Sequence, residues 1–178
     1  MLPLGLRARV AAGGKEAVSI SESPRFLCDA MLGKLCKWLR VAGFDAAYVR
    51  LSIPIQLVEA ARREERVLLT RNTKVLSREN LPPHLFLASD KWEEQLVEVA
   101  RTLGLELSGG AFARCLSCNV ELEPVAERSS VETVVPEYVF RRVADFHRCP
   151  RCQKVFWAGT HLGRMEERLK EIARKVAT

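Results

Sequence analysis

Two cysteine pairs constrain this chain more than anything else in it. They are Cys115-Leu116-Ser117-Cys118 and Cys149-Pro150-Arg151-Cys152, and the 30 residues 119–148 separate them. Two thiolates three positions apart on a tight turn can grip one metal ion, and a second such turn completes a tetrahedron. The intervening stretch is long enough for an excursion that brings the second turn back onto the first. The flanks Val120-Glu121-Leu122 and Lys154-Val155-Phe156-Trp157 read as short strands, the pattern of a zinc ribbon. Two disulfides, or four unrelated buried thiols, are the other readings, and the doubled C-x-x-C favours metal over both. Four sulfurs leave no open coordination position. Cys115, Cys118, Cys149 and Cys152 are therefore expected to hold a structural Zn2+ that builds the fold and does no chemistry. Cys28 and Cys36 lack ligand spacing and read as core.

Cysteines spaced for metal, with no apolar secretory core near the start, point to a reducing, cytoplasmic compartment. No apolar run reaches the length of a membrane span. Residues 1–24 are weakly patterned and read as a flexible arm. From Phe26 onward, short apolar runs alternate with helical periodicity. Phe26-Leu27-Cys28 is followed by a helix with Leu32, Leu35, Leu39 and Ala42 on one stripe, ending at Gly43. Strands are expected at Ala46–Val49, Arg66–Thr70 and Leu85–Ala88. Helices are expected after Pro54 and after Asp90, where Asp90 and Glu93 match a capping box. Four strand–helix alternations predict a parallel sheet with helices on both faces. The domain reading is an α/β unit over 25–108, a Gly109-Gly110 hinge, the ribbon over 109–162 with a strand at Val131–Val135, and a helix over 163–178. The last helix carries Met165, Leu169, Ile172 and Val176 on one stripe, which is expected to dock on the protein's own body.

Ligands of open parallel sheets bind beyond the carboxyl ends of the strands. Asp29, Asp45, Asn72 and Asp90 lie at or near those ends. Several converging oxygens could hold Mg2+ or Mn2+, and such an ion could activate water against a phosphodiester. Asp29 reads equally well as the N-cap of the following helix, and Asp90 better as a cap than as a ligand.

The net charge of +6 is compatible with nucleic acid without requiring it. Lys34, Lys37, Arg40 and Arg71 could ring the strand-end crevice. Arg148 and Arg151 sit in the ribbon among Tyr138, Phe146, Phe156 and Trp157, where cations would meet phosphates and aromatic faces would meet unpaired bases. A solvated basic face over an aromatic mini-core is the alternative.

Several stretches together resemble a known family. They are Phe26-Leu27-Cys28-Asp29-Ala30-Met31-Leu32-Gly33-Lys34-Leu35, Trp38-Leu39-Arg40, Gly43-Phe44-Asp45, Leu68-Leu69-Thr70-Arg71, the four ribbon cysteines with Pro150, and Trp157-Ala158-Gly159-Thr160-His161. They look like the Mut-seven C-terminal RNase domain, a PIN-like nuclease fold. The resemblance implies an RNA-acting protein with acids at strand ends holding a divalent metal, and it raises His161 as a phosphate or base contact. Two positions depart from the pattern. Asn72 stands where the family has Asp, and Ser52-Ile53-Pro54-Ile55 carries no acid where another is usual. A weakened ribonuclease is therefore expected. The alternatives are a non-cleaving RNA-binding module, or an adaptor that meets a protein partner through the ribbon.

Overall fold

A computed structural model describes residues 24–50, 53–107 and 113–177. The expected N-terminal arm, the Gly109-Gly110 hinge and Ser52 lie outside the described residues, Pro24 excepted. Four parallel strands form the main sheet: β1 (Phe26–Cys28), β2 (Ala46–Tyr48), β3 (Val67–Thr70) and β4 (His84–Phe86), in the order β2-β1-β3-β4. Side chains alternate across a strand, so each central strand feeds two cores. Phe26, Cys28, Val67 and Leu69 face α1 (Gly33–Val41), α4 (Trp92–Leu103) and α6 (Thr160–Ala177). Leu27 and Leu68 face α2 (Pro54–Arg63), and Val75 of the short α3 (Thr73–Leu76) completes that second core. This is the doubly covered parallel sheet that the strand–helix alternation predicts. Pro54 starts α2 as expected, and the Met165, Leu169 and Ile172 stripe of α6 is buried in the first core. Cys28 and Cys36 are core residues. Among the described residues, no helix is long and apolar enough to cross a membrane.

Helix α1 stops at a Schellman turn. Phe44 N–H donates to the Leu39 carbonyl and Gly43 N–H to the Arg40 carbonyl, with Gly43 at φ 93°. A Cβ in that conformation is strained. Gly43→Ala should cost about 1–2 kcal/mol in a denaturation experiment. A change of a few tenths would show that the turn tolerates a side chain.

Three local expectations are corrected. Asp29 does not cap α1. Its Oδ1 accepts from Met31 N–H at 2.8 Å, closing a turn, and the helix begins four residues later behind Leu32. Asp90 does not cap α4 either. Lys91 stands at the N-cap without a side-chain hydrogen bond, and Ser89 closes the turn ahead of it: its Oγ accepts from Lys91 N–H and donates to Glu94 at 2.7 Å. Residues 131–135 are not a strand. A turn of 3-10 helix covers Arg128–Val131, and α5 covers Glu137–Arg142. Val131, Val135 and Val139 recur every four residues and bury against Phe146, a helical spacing that overrides the strand preference of β-branched residues. The ribbon's sheet is β5 (Glu123–Pro124), β6 (Phe146–Arg148) and β7 (Val155–Trp157), antiparallel.

Candidate functional site

The two cysteine pairs form matched knuckles. In each, the backbone N–H of the second cysteine donates to the first cysteine's Sγ at 3.4 Å. In each, the residue after the second cysteine takes a left-handed conformation, Asn119 at φ 65° and Gln153 at φ 60°. The first cysteine's N–H donates to the carbonyl two residues past the second cysteine, Val120 in one knuckle and Lys154 in the other. All four Sγ atoms lie within 4.8 Å of one another, and Cys115 and Cys152 are 3.7 Å apart. A tetrahedron with 2.3 Å metal–sulfur bonds has edges of about 3.8 Å, whereas a disulfide would need about 2.05 Å. All four thiols are free. The arrangement can hold a metal ion, and no fifth ligand is needed. The Lys154 backbone N–H draws the Cys152 thiol down to about 7, while desolvation and then the neighbouring thiols push Cys118 up to about 12. Four thiols this close do not ionise together unless a cation shares their charge.

The first knuckle is bolted to the main sheet. Arg40 is buried on α1, and its Nε donates to the Ala46 carbonyl at 2.8 Å. Its Nη1 donates to the carbonyls of Leu116 at 2.8 Å and Ser117 at 3.2 Å. Asn119 accepts from Ala46 N–H at 3.0 Å and donates to Asp45 at 2.6 Å. Asp45 also pairs with Arg66 at 2.6 Å and Arg25 at 3.2 Å. Burial alone would raise the Asp45 carboxyl. Hydrogen bonds from Arg66 and Asn119 outweigh it and hold the group below its ordinary range.

These contacts change two expected assignments. Asp45 lies at the amino edge of the sheet, where Phe26 N–H meets its carbonyl. Asp29 follows β1 at the carboxyl edge, level with Val49 by the strand register. Four residues of parallel strand separate the two levels, at least about 13 Å, so Asp45 cannot share an ion with Asp29. Arg40 does not ring the strand-end crevice. It faces the free edge of β2 and the knuckle.

The crevice itself sits at the switch point of the sheet. The chain runs from β1 outward to β2, then crosses back to β3, so the carboxyl ends of β1 and β3 open side by side. Asp29 is 2% exposed there. Its Oδ2 accepts from the Thr70 hydroxyl at 2.5 Å and from Arg71 N–H at 2.8 Å. Asn72 N–H donates to Thr70 Oγ1 at 3.0 Å, and Asn72 Oδ1 caps α3 by accepting from Lys74 N–H at 3.1 Å. Arg71 reaches across to the Ala88 carbonyl at 3.3 Å. Asp90 is exposed in the turn ahead of α4, on the same edge. Lys34 lies over the Trp92 ring at 5.2 Å, and Lys37 is exposed further along α1. Among the described residues, the cysteine tetrad is the one group of three or more His, Cys, Asp or Glu side chains close enough to share an ion.

In the ribbon, Arg148 donates to the Ser130 carbonyl at 3.0 Å, and its buried Nε has no partner. It braces the ribbon from within. Arg151 and His161 are exposed. Sequence reading missed the clasp of Arg66, Asn119 and Arg114, the last of which donates to the carbonyls of Gly43 at 3.2 Å and Asn119 at 2.9 Å. The left-handed residue after each second cysteine was the available signal, since Asn tolerates that conformation better than most residues.

No curated protein and no solved structure matches the chain. A family model does, over residues 24–169, described as the Mut7-C RNAse domain. That span takes in the sheet, the crevice, both knuckles and most of α6, and the chain belongs to the Mut7-C RNAse domain family.

Proposed function

We propose that this protein binds RNA through a nuclease fold whose metal site is reduced to one anchored carboxylate, and that cleavage is weak, dependent on Mg2+ or Mn2+, and centred on Asp29. The observation that carries this reading is the switch-point crevice. Asp29 is held rigid there by one hydroxyl and two backbone N–H groups, with neutral Asn72 beside it at the end of β3. Its Oδ2 already accepts two hydrogen bonds and Oδ1 one, so Oδ1 alone keeps a lone pair for a cation. A hard cation favours several charged oxygens, and Asp45 stands at the other edge. Asp90 is the acid near enough in topology to assist. Lys34 and Arg71 supply positive charge at the same crevice, and His161 is available for a phosphate.

The cysteine tetrad is proposed to hold zinc. Four thiolates in tetrahedral array suit that ion, and its role is to fix the ribbon. The thiol set fits a reducing compartment such as the cytoplasm.

The test is cleavage of a single-stranded oligoribonucleotide with Mg2+ or Mn2+. Asp29→Asn should remove cleavage, by on the order of a hundredfold. Asn72→Asp keeps the α3 cap, because Asp caps as well as Asn. It adds a charge at the crevice and should raise metal affinity on the order of tenfold or more, with cleavage rising alongside. Efficient wild-type cleavage that Asn72→Asp slows would overturn the reading, since Asn72 would then be an adapted part of the site.

A further inference from the structure

The strand-end crevice is not the only basic recess. A groove of about 860 Å3 runs between the free edge of β2 and the two knuckles, lined by Arg40, Arg66, Arg114, Arg151, Tyr48 and Ser117, with Asp45 and Glu121. Its arginines are not equivalent. Arg66 is answered by Asp45 and Glu64, and Arg114 by Glu121. Arg40 is 8% exposed, and all its hydrogen bonds among the described residues go to neutral carbonyls. Its Nη2 takes part in none of them. A buried guanidinium with no carboxylate in direct contact keeps positive charge on the groove it lines. Arg151 carries a second charge that pairs with no Asp or Glu among the described residues, on a backbone fixed between Cys149 and Cys152. Lys154 stands close by, bonded to the Ser117 hydroxyl at 3.3 Å.

Tyr48 lines the groove at the carboxyl end of β2. Its hydroxyl donates to the Ala30 carbonyl at 3.0 Å, and its ring lies against Gly33. The ring is thereby held in one orientation while staying 37% exposed. Ala30 directly follows Asp29, so the ring sits beside the turn that carries the crevice carboxylate.

We propose that the β2-edge groove is the entry track for single-stranded RNA. A backbone phosphate sits against Arg151 and the Arg40 Nη2 donors, and an unpaired base stacks on Tyr48 before the strand reaches Asp29. The inference rests on the RNA-acting reading above and deepens it. A single strand is specified because a base held in a helix cannot offer its face to a fixed ring. Phosphate contact accounts for two unanswered cations in one groove, where a neutral ligand would not.

The experiment measures binding of a fluorescent single-stranded oligoribonucleotide across a salt series, without divalent metal. Arg151→Gln should weaken binding several-fold at moderate salt and reduce the magnitude of the salt slope by about one, the mark of a lost phosphate contact. Tyr48→Leu should weaken binding roughly tenfold with the slope unchanged, and Tyr48→Trp should restore it. Lys170→Glu, an exposed change on α6 outside the groove, should do little. Arg151→Gln lies inside a knuckle, so its bound metal is measured as well, and Tyr48→Leu stands independently of the metal. Wild-type binding that neither variant alters would overturn the groove and leave the RNA reading intact. A wild type that binds no RNA would overturn both.

Discussion

Cys149→Ser should strip the metal from this protein and unfold much of residues 113–157, while the four-stranded sheet remains. Structural zinc contributes about 10–16 kcal/mol in small zinc-dependent units, and the ribbon's own core is only Val131, Val135, Val139 and Phe146 with partly buried neighbours. That core is too small to hold the ribbon's loops alone. Elemental analysis should fall from near one metal per chain to near none. Amide exchange should accelerate in β5, β6 and β7 and change little in β1 and β3. Full metal retention in the serine variant would sink the assignment of Cys149 as a ligand.

The second large effect is expected at Asp45, and it reports on architecture rather than on catalysis. Asp45→Ala leaves the buried guanidinium of Arg66 with Glu64 as its carboxylate and the Phe26 carbonyl as an acceptor, and removes the acceptor of the Asn119 amide. Breaking a fully buried pair costs about 3–5 kcal/mol, and Asp45 is partly exposed, so about 2–3 kcal/mol is expected. The folded carboxyl is held below its ordinary 3.8. Its contribution is therefore complete above that value and is lost as the pH falls through the lower folded value. The stability gap between wild type and Asp45→Asn should be flat near neutrality and shrink in acid below about pH 4. Denaturation midpoints over that range provide the check. A gap that persists undiminished into strong acid would remove the Asp45 carboxylate from the account. Metal-dependent RNA cleavage should respond to Asp29→Asn far more than to Asp45→Asn once stability is matched.

The parts of this fold that were legible were those written in local periodicity or spacing. Short apolar runs placed β1 to β4, and a period of 3.6 placed the long helices. Pro54 and Gly43 marked real ends. The thiol spacing foretold a tetrad whose sulfurs do converge. Misreadings came where two local signals competed. Val131 to Val135 offered β-branched side chains to one rule and a spacing of four to another, and burial against Phe146 chose the second. Asp90 and Glu93 match a capping pattern by spacing, yet α4 starts behind Lys91 with no side-chain cap, and the side-chain bond at that turn runs from Ser89 to Glu94. The candidate site was harder because its logic is long-range. Asp45 and Asp29 look interchangeable as acids beside strands, and only the register puts them at opposite edges of the sheet. Arg40 lies off the apolar stripe of α1, which on a lone helix means solvent. Here that face meets a turn 76 residues further along the chain. No periodicity within α1 encodes a contact with Leu116.

The position of that contact sets how the protein would fail. A sheet of four parallel strands has two open flanks, and strand edges are templates for pairing with another chain. On the β2 flank, the outward N–H of Ala46 is taken by Asn119 and its outward carbonyl by Arg40. Asn119 belongs to a knuckle, and Arg40 is itself fastened to that knuckle. The cysteine tetrad, through the knuckle it closes, thus acts at a distance as a guard on the sheet's flank. Once the ion is removed, the flank loses its cover while the sheet survives, which is the combination that promotes strand addition between molecules. Metal-stripped protein should therefore be lost from solution by self-association, at a rate that rises with concentration, before its main sheet unfolds.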